Sequence, residues 1–110
     1  MDVPEIDVTE LAARQAEGAV LIDVRTPGEY ADARVPGAQL IPLPEVVERI
    51  DEVPTEGTVY VICARGPRSA KAVQHYRSQG IDAVNVAGGT LAWIDAGLPI
   101  DRAASEARDG

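Results

Sequence analysis

The chain has 110 residues, 45% of them hydrophobic and 25% charged, which is the length and composition of one globular domain. Its formal net charge of −8 argues against nucleic acid and anionic membrane surfaces as partners. The sequence has no signal-peptide pattern, no run of roughly 20 apolar residues and only one cysteine, so we expect a cytoplasmic protein without disulfides or a membrane segment.

Short apolar runs alternate with amphipathic segments along the chain. In chain order they predict a strand over 3–8, a helix over 9–17 capped by Thr9, a strand over 19–24, a helical turn over 27–33, a strand over 38–42, a helix over 44–53, a strand over 58–63, a helix over 69–79, a strand over 83–86 and a helix over 90–96. We expect residues 1–100 to form the domain. Residues 101–110 lack apolar periodicity and are predicted to be a disordered tail.

The alternation of apolar strands and helices predicts an α/β domain with three layers. Its centre would be a parallel sheet of about five strands, with helices on both faces. Ligands of such sheets bind beyond the carboxyl ends of the strands. Three loops leave those ends, "RTPG" from residue 25, "ARGPRS" from residue 64 and "AGGT" from residue 87.

The single cysteine, Cys63, ends a predicted strand inside the only strongly basic part of the chain. Residues 57–81 contain no Asp or Glu and four basic residues, so this segment carries +4 and the rest of the chain −12. A thiol close to the guanidinium groups of Arg65 and Arg68 and facing a helix N-terminus should have a lowered pKa, and reactive cysteines occupy partly exposed sites of this kind. The alternative is that Cys63 is an ordinary buried core residue.

The loop after Cys63 has the composition of an anion-binding turn. Gly66 allows a tight turn into the helix that starts near Ser69, where successive N–H groups can point at one anion. Pro67 removes one N–H from that set, although it also stiffens the turn.

Three motifs in register resemble the single-domain rhodaneses, a family of sulfurtransferases. "LIDVRTPGEYADARVPGA" (21–38) is similar to the family's Asp-Val-Arg…Glu-Tyr…Pro-Gly-Ala segment, and "VICARGPRSAKA" (61–72) to its Cys-x-x-Gly-x-Arg-Ser loop. "VAGGTLAWIDAGLPI" (86–100) is similar to the family's Gly-Gly…Trp…Gly-Leu-Pro ending.

This resemblance implies a rhodanese-like fold and a thiosulfate sulfurtransferase activity. Cys63 would carry sulfur as a persulfide from a small anionic donor such as thiosulfate to cyanide, an external thiol or a protein acceptor. The residues that would bind the substrate around it are Ala64, Arg65, Gly66, Pro67, Arg68 and Ser69. The resemblance implies no cofactor, and the sequence shows no metal-binding pattern.

Two features qualify the expected chemistry. Pro67 removes one N–H donor from the anion-binding loop, and we expect this to affect turnover more than the fold. The chain has no second cysteine, so the sulfur acceptor must be another molecule.

Several other residues are predicted to be structural. Asp23 and Arg25 follow a strand, and we expect them to form an ion pair or loop-bracing hydrogen bonds, with Glu29 in the same scaffold. Trp93 is expected in the core, and His75 is expected to be solvated rather than paired with Cys63.

Two other functions remain open at this point. One is a persulfide carrier or docking module without steady-state turnover. The other is a phosphatase or arsenate reductase, whose loop has five residues between cysteine and arginine, whereas four separate Cys63 from Arg68 here.

Overall fold

The computed structural model describes residues 3–102. Its strands are β1 (Glu5–Ile6), β2 (Val20–Asp23), β3 (Gln39–Leu40), β4 (Thr58–Ile62) and β5 (Asp82–Val86). Its α-helices are α1 (Val8–Ala16), α2 (Pro27–Asp32), α3 (Pro67–Ser78) and α4 (Gly89–Asp95). The predicted tail residues 103–110 lie outside the described part of the chain.

The five strands form one sheet in the order β1-β5-β4-β2-β3, and every neighbouring pair is parallel. The central strand β4 alternates strictly. Val59 and Val61 pack in a cluster with Val73 of α3, whereas Tyr60 and Ile62 pack in a second cluster on the other face. Helices α1 and α4 cover that second face through Leu11 and Trp93. The predicted three-layer α/β architecture is therefore confirmed, and so is the core position of Trp93.

The segment predicted as a helix over 44–53 is not an α-helix. It consists of two 3-10 turns, Leu43–Glu45 and Ile50–Glu52, joined by further turns. Val46 and Val53 are buried, whereas Val47 is 66% exposed. A helix would have placed Val47 on one side with Val46 and Ile50. The β-branched residues have low helix propensity, and seating Val46 and Val53 in the core takes precedence over a regular helix.

The first helix begins earlier than predicted. Asp7 is its N-cap and accepts a hydrogen bond from the Glu10 N–H at 2.9 Å, so the predicted cap Thr9 lies within the first turn. The first strand is correspondingly reduced to two residues. An aspartate cap satisfies a helix N–H as well as threonine does and adds a favourable charge at the N-terminus.

The end of the described chain contacts the segment after α2. Arg34 and Asp101 form an antiparallel bridge, and Arg102 donates a hydrogen bond from Nη1 to the Asp32 carbonyl at 2.7 Å. Within residues 3–102 no helix is both long and apolar enough to span a bilayer.

Candidate active site

Cys63 directly follows the central strand β4, and the loop 64–66 leads from it into α3. Gly66 is the N-cap residue of α3 and has φ +129°, a conformation that favours glycine. Pro67 occupies the first helical turn, where its missing N–H has no intrahelical partner to lose. Helix α3 therefore begins two residues earlier than predicted, and Ser69 lies inside its first turn.

The N-terminus of α4 packs against the backbone of the same loop. The N–H groups of Thr90 and Leu91 donate to the carbonyls of Cys63 and Ala64 at 2.9 and 3.0 Å. A Cβ at Gly89 would lie 2.4 Å from the Cys63 carbonyl oxygen, so this approach requires a residue without a side chain. The contacts fix the backbone of Cys63 and of the residue that follows it.

The Cys63 sulfur lies among hydrogen-bond donors from the loop. The Gly66 N–H donates to Sγ at 3.0 Å, and Ser69 Oγ lies 3.3 Å from Sγ. Burial raises the pKa of the Cys63 thiol. Hydrogen bonds from the Ser69 hydroxyl and from the N–H groups of Ser69, Gly66 and Arg65 lower it by more, so its pKa lies below the ordinary value.

Cys63 is more buried than the sequence suggested, since only 1% of the residue is exposed. The partial exposure expected for a reactive thiol is therefore wrong for this conformation, because the loop folds over the sulfur. Cys63 nevertheless lines a cavity of about 220 Å³ together with Ala64, Arg65, Pro67 and Arg68. That volume is several times the roughly 30 Å³ that one water molecule takes in the liquid.

Arg65 of the loop and Arg68 in the first turn of α3 differ in their surroundings. Arg65 is exposed, whereas Arg68 donates two hydrogen bonds to Glu29, at 2.8 and 3.0 Å. The Glu29 pKa is lowered to about 2, chiefly by the hydrogen bond from Arg68. Arg68 still has a favourable charge interaction with Cys63, but the main stabilisation of the thiolate comes from hydrogen bonds. The sequence-based prediction that the guanidinium groups are the main cause of the lowered Cys63 pKa is therefore wrong, because hydrogen bonds from the loop and Ser69 are the main cause.

The predicted ion pair between Asp23 and Arg25 is present and buried. Arg25 Nη2 lies 2.8 Å from Asp23 Oδ2 and also donates to the Ala33 carbonyl at 2.8 Å. The pair therefore connects the end of β2 to the residue that ends α2. Glu29 is not part of this pair. Its carboxylate accepts a hydrogen bond from the N–H of Thr26, the N-cap residue of α2, and forms an ion pair with Arg68.

Sequence reasoning missed a polar chain behind Cys63. Ser69 Oγ lies 2.5 Å from Asn85 Oδ1, and Asn85 Nδ2 donates to Glu5 Oε2 at 2.8 Å. Asn85 is 1% exposed. In the sequence, Asn85 stands out as the one polar residue of the apolar strand "AVNV" (83–86). Its neighbours in the sequence do not indicate that it contacts Ser69 and Glu5.

Comparison with known proteins agrees with this architecture. Residues 7–96 match the rhodanese-like domain family. A sulfurtransferase of Allochromatium vinosum is 39% identical over 101 residues, covering 89% of this chain and 94% of that protein. The putative sulfur carrier protein YrkF of Bacillus subtilis is 35% identical over 94 residues, covering 83% of this chain and 51% of that protein.

The crystal structure of a rhodanese-like domain protein from Staphylococcus aureus superposes with a TM-score of 0.80. It is 39% identical in sequence, and the match covers 89% of this chain and 98% of that one. The matched family, the parallel sheet and the sequence identity agree, and this chain belongs to the rhodanese-like domain family.

Proposed function

We propose that the chain is a sulfurtransferase in which Cys63 carries the transferred sulfur. The observation that carries the proposal is the convergence of the Gly66 N–H and the Ser69 hydroxyl on a sulfur that borders a cavity. Such donors stabilise a thiolate and a sulfur anion attached to it. The sulfurtransferase of A. vinosum, with 94% of its length matched, supports the same activity.

The proposed donor is a small dianion such as thiosulfate. Arg65 and Arg68 both line the cavity, and guanidinium groups suit oxyanions. The Cys63 thiolate would attack the outer sulfur of thiosulfate and form a new S–S bond. The S–S bond of thiosulfate breaks, and sulfite leaves with its electron pair. The persulfide then carries the negative charge on its outer sulfur, within reach of the same donors.

The acceptor is proposed to be an external nucleophile. Cyanide attack on the outer sulfur would release thiocyanate and regenerate the Cys63 thiolate, and a cellular thiol or a protein thiolate could act in the same way. Cys63 is the only cysteine of the chain, so the persulfide cannot resolve into an internal disulfide.

The second candidate is a persulfide carrier that loads once and delivers only to a specific partner. It is favoured by the match to YrkF, whose name describes a putative sulfur carrier. The near-complete burial of Cys63 also favours it, since release of the sulfur would then await a partner that opens the loop.

Intact-mass measurement after thiosulfate treatment tests both candidates. The native chain should gain one sulfur atom, and the Cys63→Ser variant, with its fold checked by circular dichroism, should gain none. Repeated formation of thiocyanate with cyanide indicates an enzyme, whereas a single equivalent indicates a carrier. A mass gain that persists in Cys63→Ser, or aryl phosphate hydrolysis faster than sulfur loading, would overturn the proposal.

A further inference from the structure

The Ser69 hydroxyl has one proton and three neighbours that could accept it. These are Asn85 Oδ1 at 2.5 Å, the Gly66 carbonyl at 3.0 Å and Cys63 Sγ at 3.3 Å. A hydroxyl donates only one full hydrogen bond, so these acceptors compete. The Gly66 carbonyl also accepts from the Ala70 N–H at 2.9 Å and depends less on Ser69. The competition is therefore mainly between Asn85 and Cys63.

Glu5 fixes which end of the Asn85 amide faces Ser69. A carboxylate only accepts hydrogen bonds, so the NH₂ group of Asn85 must point to Glu5 Oε2, which lies 2.8 Å away. The Asn85 oxygen is then directed at Ser69, where it too can only accept. Glu5 is 80 residues from Asn85 in sequence, and the contact exists because β1 pairs with β5.

The preferred direction of the Ser69 proton depends on the state of the sulfur. With a neutral thiol, the S–H can donate to Ser69 Oγ while the Ser69 O–H donates to Asn85 Oδ1, so every group is satisfied. With a thiolate, Ser69 has two possible arrangements. It can donate its proton to the sulfur, which leaves the buried Asn85 oxygen without a donor, or it can donate to Asn85, which places an oxygen lone pair next to the negatively charged sulfur. Both arrangements have a cost, since a buried polar atom that loses its partner is destabilised.

We propose that Asn85, oriented by Glu5, is a positioning residue that competes with Cys63 for the Ser69 proton, which weakens the Ser69 hydrogen bond to the thiolate without abolishing it. The Asn85 side chain is hydrogen-bonded to Ser69 and Glu5, so its proposed effect on the sulfur passes through Ser69. After sulfur loading, the charge moves to the outer atom, and Ser69 can donate to Asn85 again. The network thus stabilises the unloaded thiolate less than the persulfide. A less stabilised thiolate is a stronger nucleophile, so the network favours sulfur loading.

Charged groups also surround Cys63 and its hydrogen-bond partners. Arg65 and Arg68 line the cavity with Cys63, Glu29 of α2 pairs with Arg68, and Glu5 of β1 contacts Asn85; the Asp23–Arg25 pair lies at the end of β2. Substitution of Asn85 removes none of these charges. Its effect on ionisation can therefore be separated from theirs.

The test is the pH dependence of Cys63 alkylation by iodoacetamide. The midpoint of the profile for Asn85→Ala should fall by up to about one pH unit relative to the native chain, because the Ser69 hydrogen bond to the thiolate is no longer shared with Asn85. In a Ser69→Ala background, the Asn85→Ala substitution should produce no such fall. An unchanged or raised midpoint in folded Asn85→Ala, or an equal fall without Ser69, would overturn the proposal.

A second variant decides the matter if Asn85→Ala does not fold. Glu5 is exposed, and Glu5→Gln lets the Asn85 amide turn its NH₂ group toward Ser69, so the midpoint should fall in the same direction. Glu10→Gln on α1 is the matched control, because it removes the same charge without touching Asn85. Equal midpoints in Glu5→Gln and Glu10→Gln would then refute the role of Asn85.

This inference rests on the proposed use of Cys63 as a nucleophile. Alkylation requires no sulfur donor, so the two can fail separately. A native chain that never forms a persulfide would refute the proposed function and leave the alkylation result intact.

Discussion

Arg68 and Glu29 form a two-pronged ion pair beside the Cys63 cavity, with Nη1 and Nη2 of the guanidinium 2.8 and 3.0 Å from the two carboxylate oxygens. The residues are 39 positions apart, and their ion pair joins the first turn of α3 to helix α2. The pair fixes the orientation of Arg68 and offsets its charge. A dianionic donor would therefore meet a site less positive than the loop sequence suggests.

The ion pair makes the effect of Arg68→Ala depend on Glu29. The single variant should raise the KM for thiosulfate about three- to tenfold, because a cation is lost and an unpaired carboxylate is left near the cavity. The double variant Arg68→Ala/Glu29→Gln should recover part of that loss. Lys71→Ala is the control, since it removes a positive charge from α3 at an exposed position outside the cavity lining. A double variant no better than Arg68→Ala would contradict this role of Glu29.

The same pair predicts a pH-dependent contribution to stability. Glu29 has a pKa lowered to about 2 in the folded chain, against an ordinary value of 4.5. A lowered carboxyl pKa stabilises the fold above pH 4.5, and this stabilisation is lost as the pH falls toward 2.

Urea denaturation of the native chain and of Glu29→Gln between pH 2 and 6 measures that contribution (about 1 kcal/mol or less at this half-exposed position). The difference in unfolding free energy should be largest above pH 5 and should vanish near pH 2. Glu56→Gln, at the opposite end of the sheet, should show no comparable trend. A difference that is constant with pH would rule out the ion pair as its cause.

Ser69→Ala should raise the pKa of Cys63. The Ser69 hydroxyl is the strongest of the hydrogen bonds that lower this pKa, and its removal leaves burial less opposed. We expect a shift of about one unit in the iodoacetamide pH–rate profile. Ser78→Ala, at the far end of α3, controls for the loss of a hydroxyl from the same helix. A profile for Ser69→Ala that matches the native one would contradict the hydrogen-bond explanation.

The contact between α4 and the active-site loop should make Gly89 intolerant of a side chain. In Gly89→Ala the new Cβ would lie 2.4 Å from the Cys63 carbonyl and 2.5 Å from that of Ala64, at φ +61°. Strain and displacement together should cost on the order of 3 kcal/mol of unfolding free energy.

Gly97→Ala is the matched variant for Gly89→Ala. Gly97 has φ +76° but no atom within 4 Å of a Cβ, so only the backbone strain applies, and we expect a loss of about 1 kcal/mol. Chemical denaturation of both variants separates the steric contribution from the backbone contribution. Equal losses would show that the approach of Gly89 to the loop is not tight.

The prediction of the elements succeeded where local rules are sufficient. The strand predicted over 58–63 is observed as Thr58–Ile62 and the helix predicted over 69–79 as Pro67–Ser78, because β-propensity and the placement of glycines indicate both elements. The prediction failed over 44–53, where the periodicity of the valines resembles that of a helix. Packing of Val46 and Val53 into the core set the backbone there instead.

Local sequence was sufficient to predict the parallel α/β fold, the position of Cys63 at the end of a strand and the glycine that turns the chain toward the next helix. These features depend on neighbours within a few residues and on the apolar pattern. Tertiary contacts account for the burial of Cys63, for the pairing of Glu29 with Arg68, and for the orientation of Asn85 toward Ser69 by Glu5. Strand order brings together residues up to 80 positions apart, and their hydrogen bonds have no local signature, so these contacts could not be predicted from the sequence.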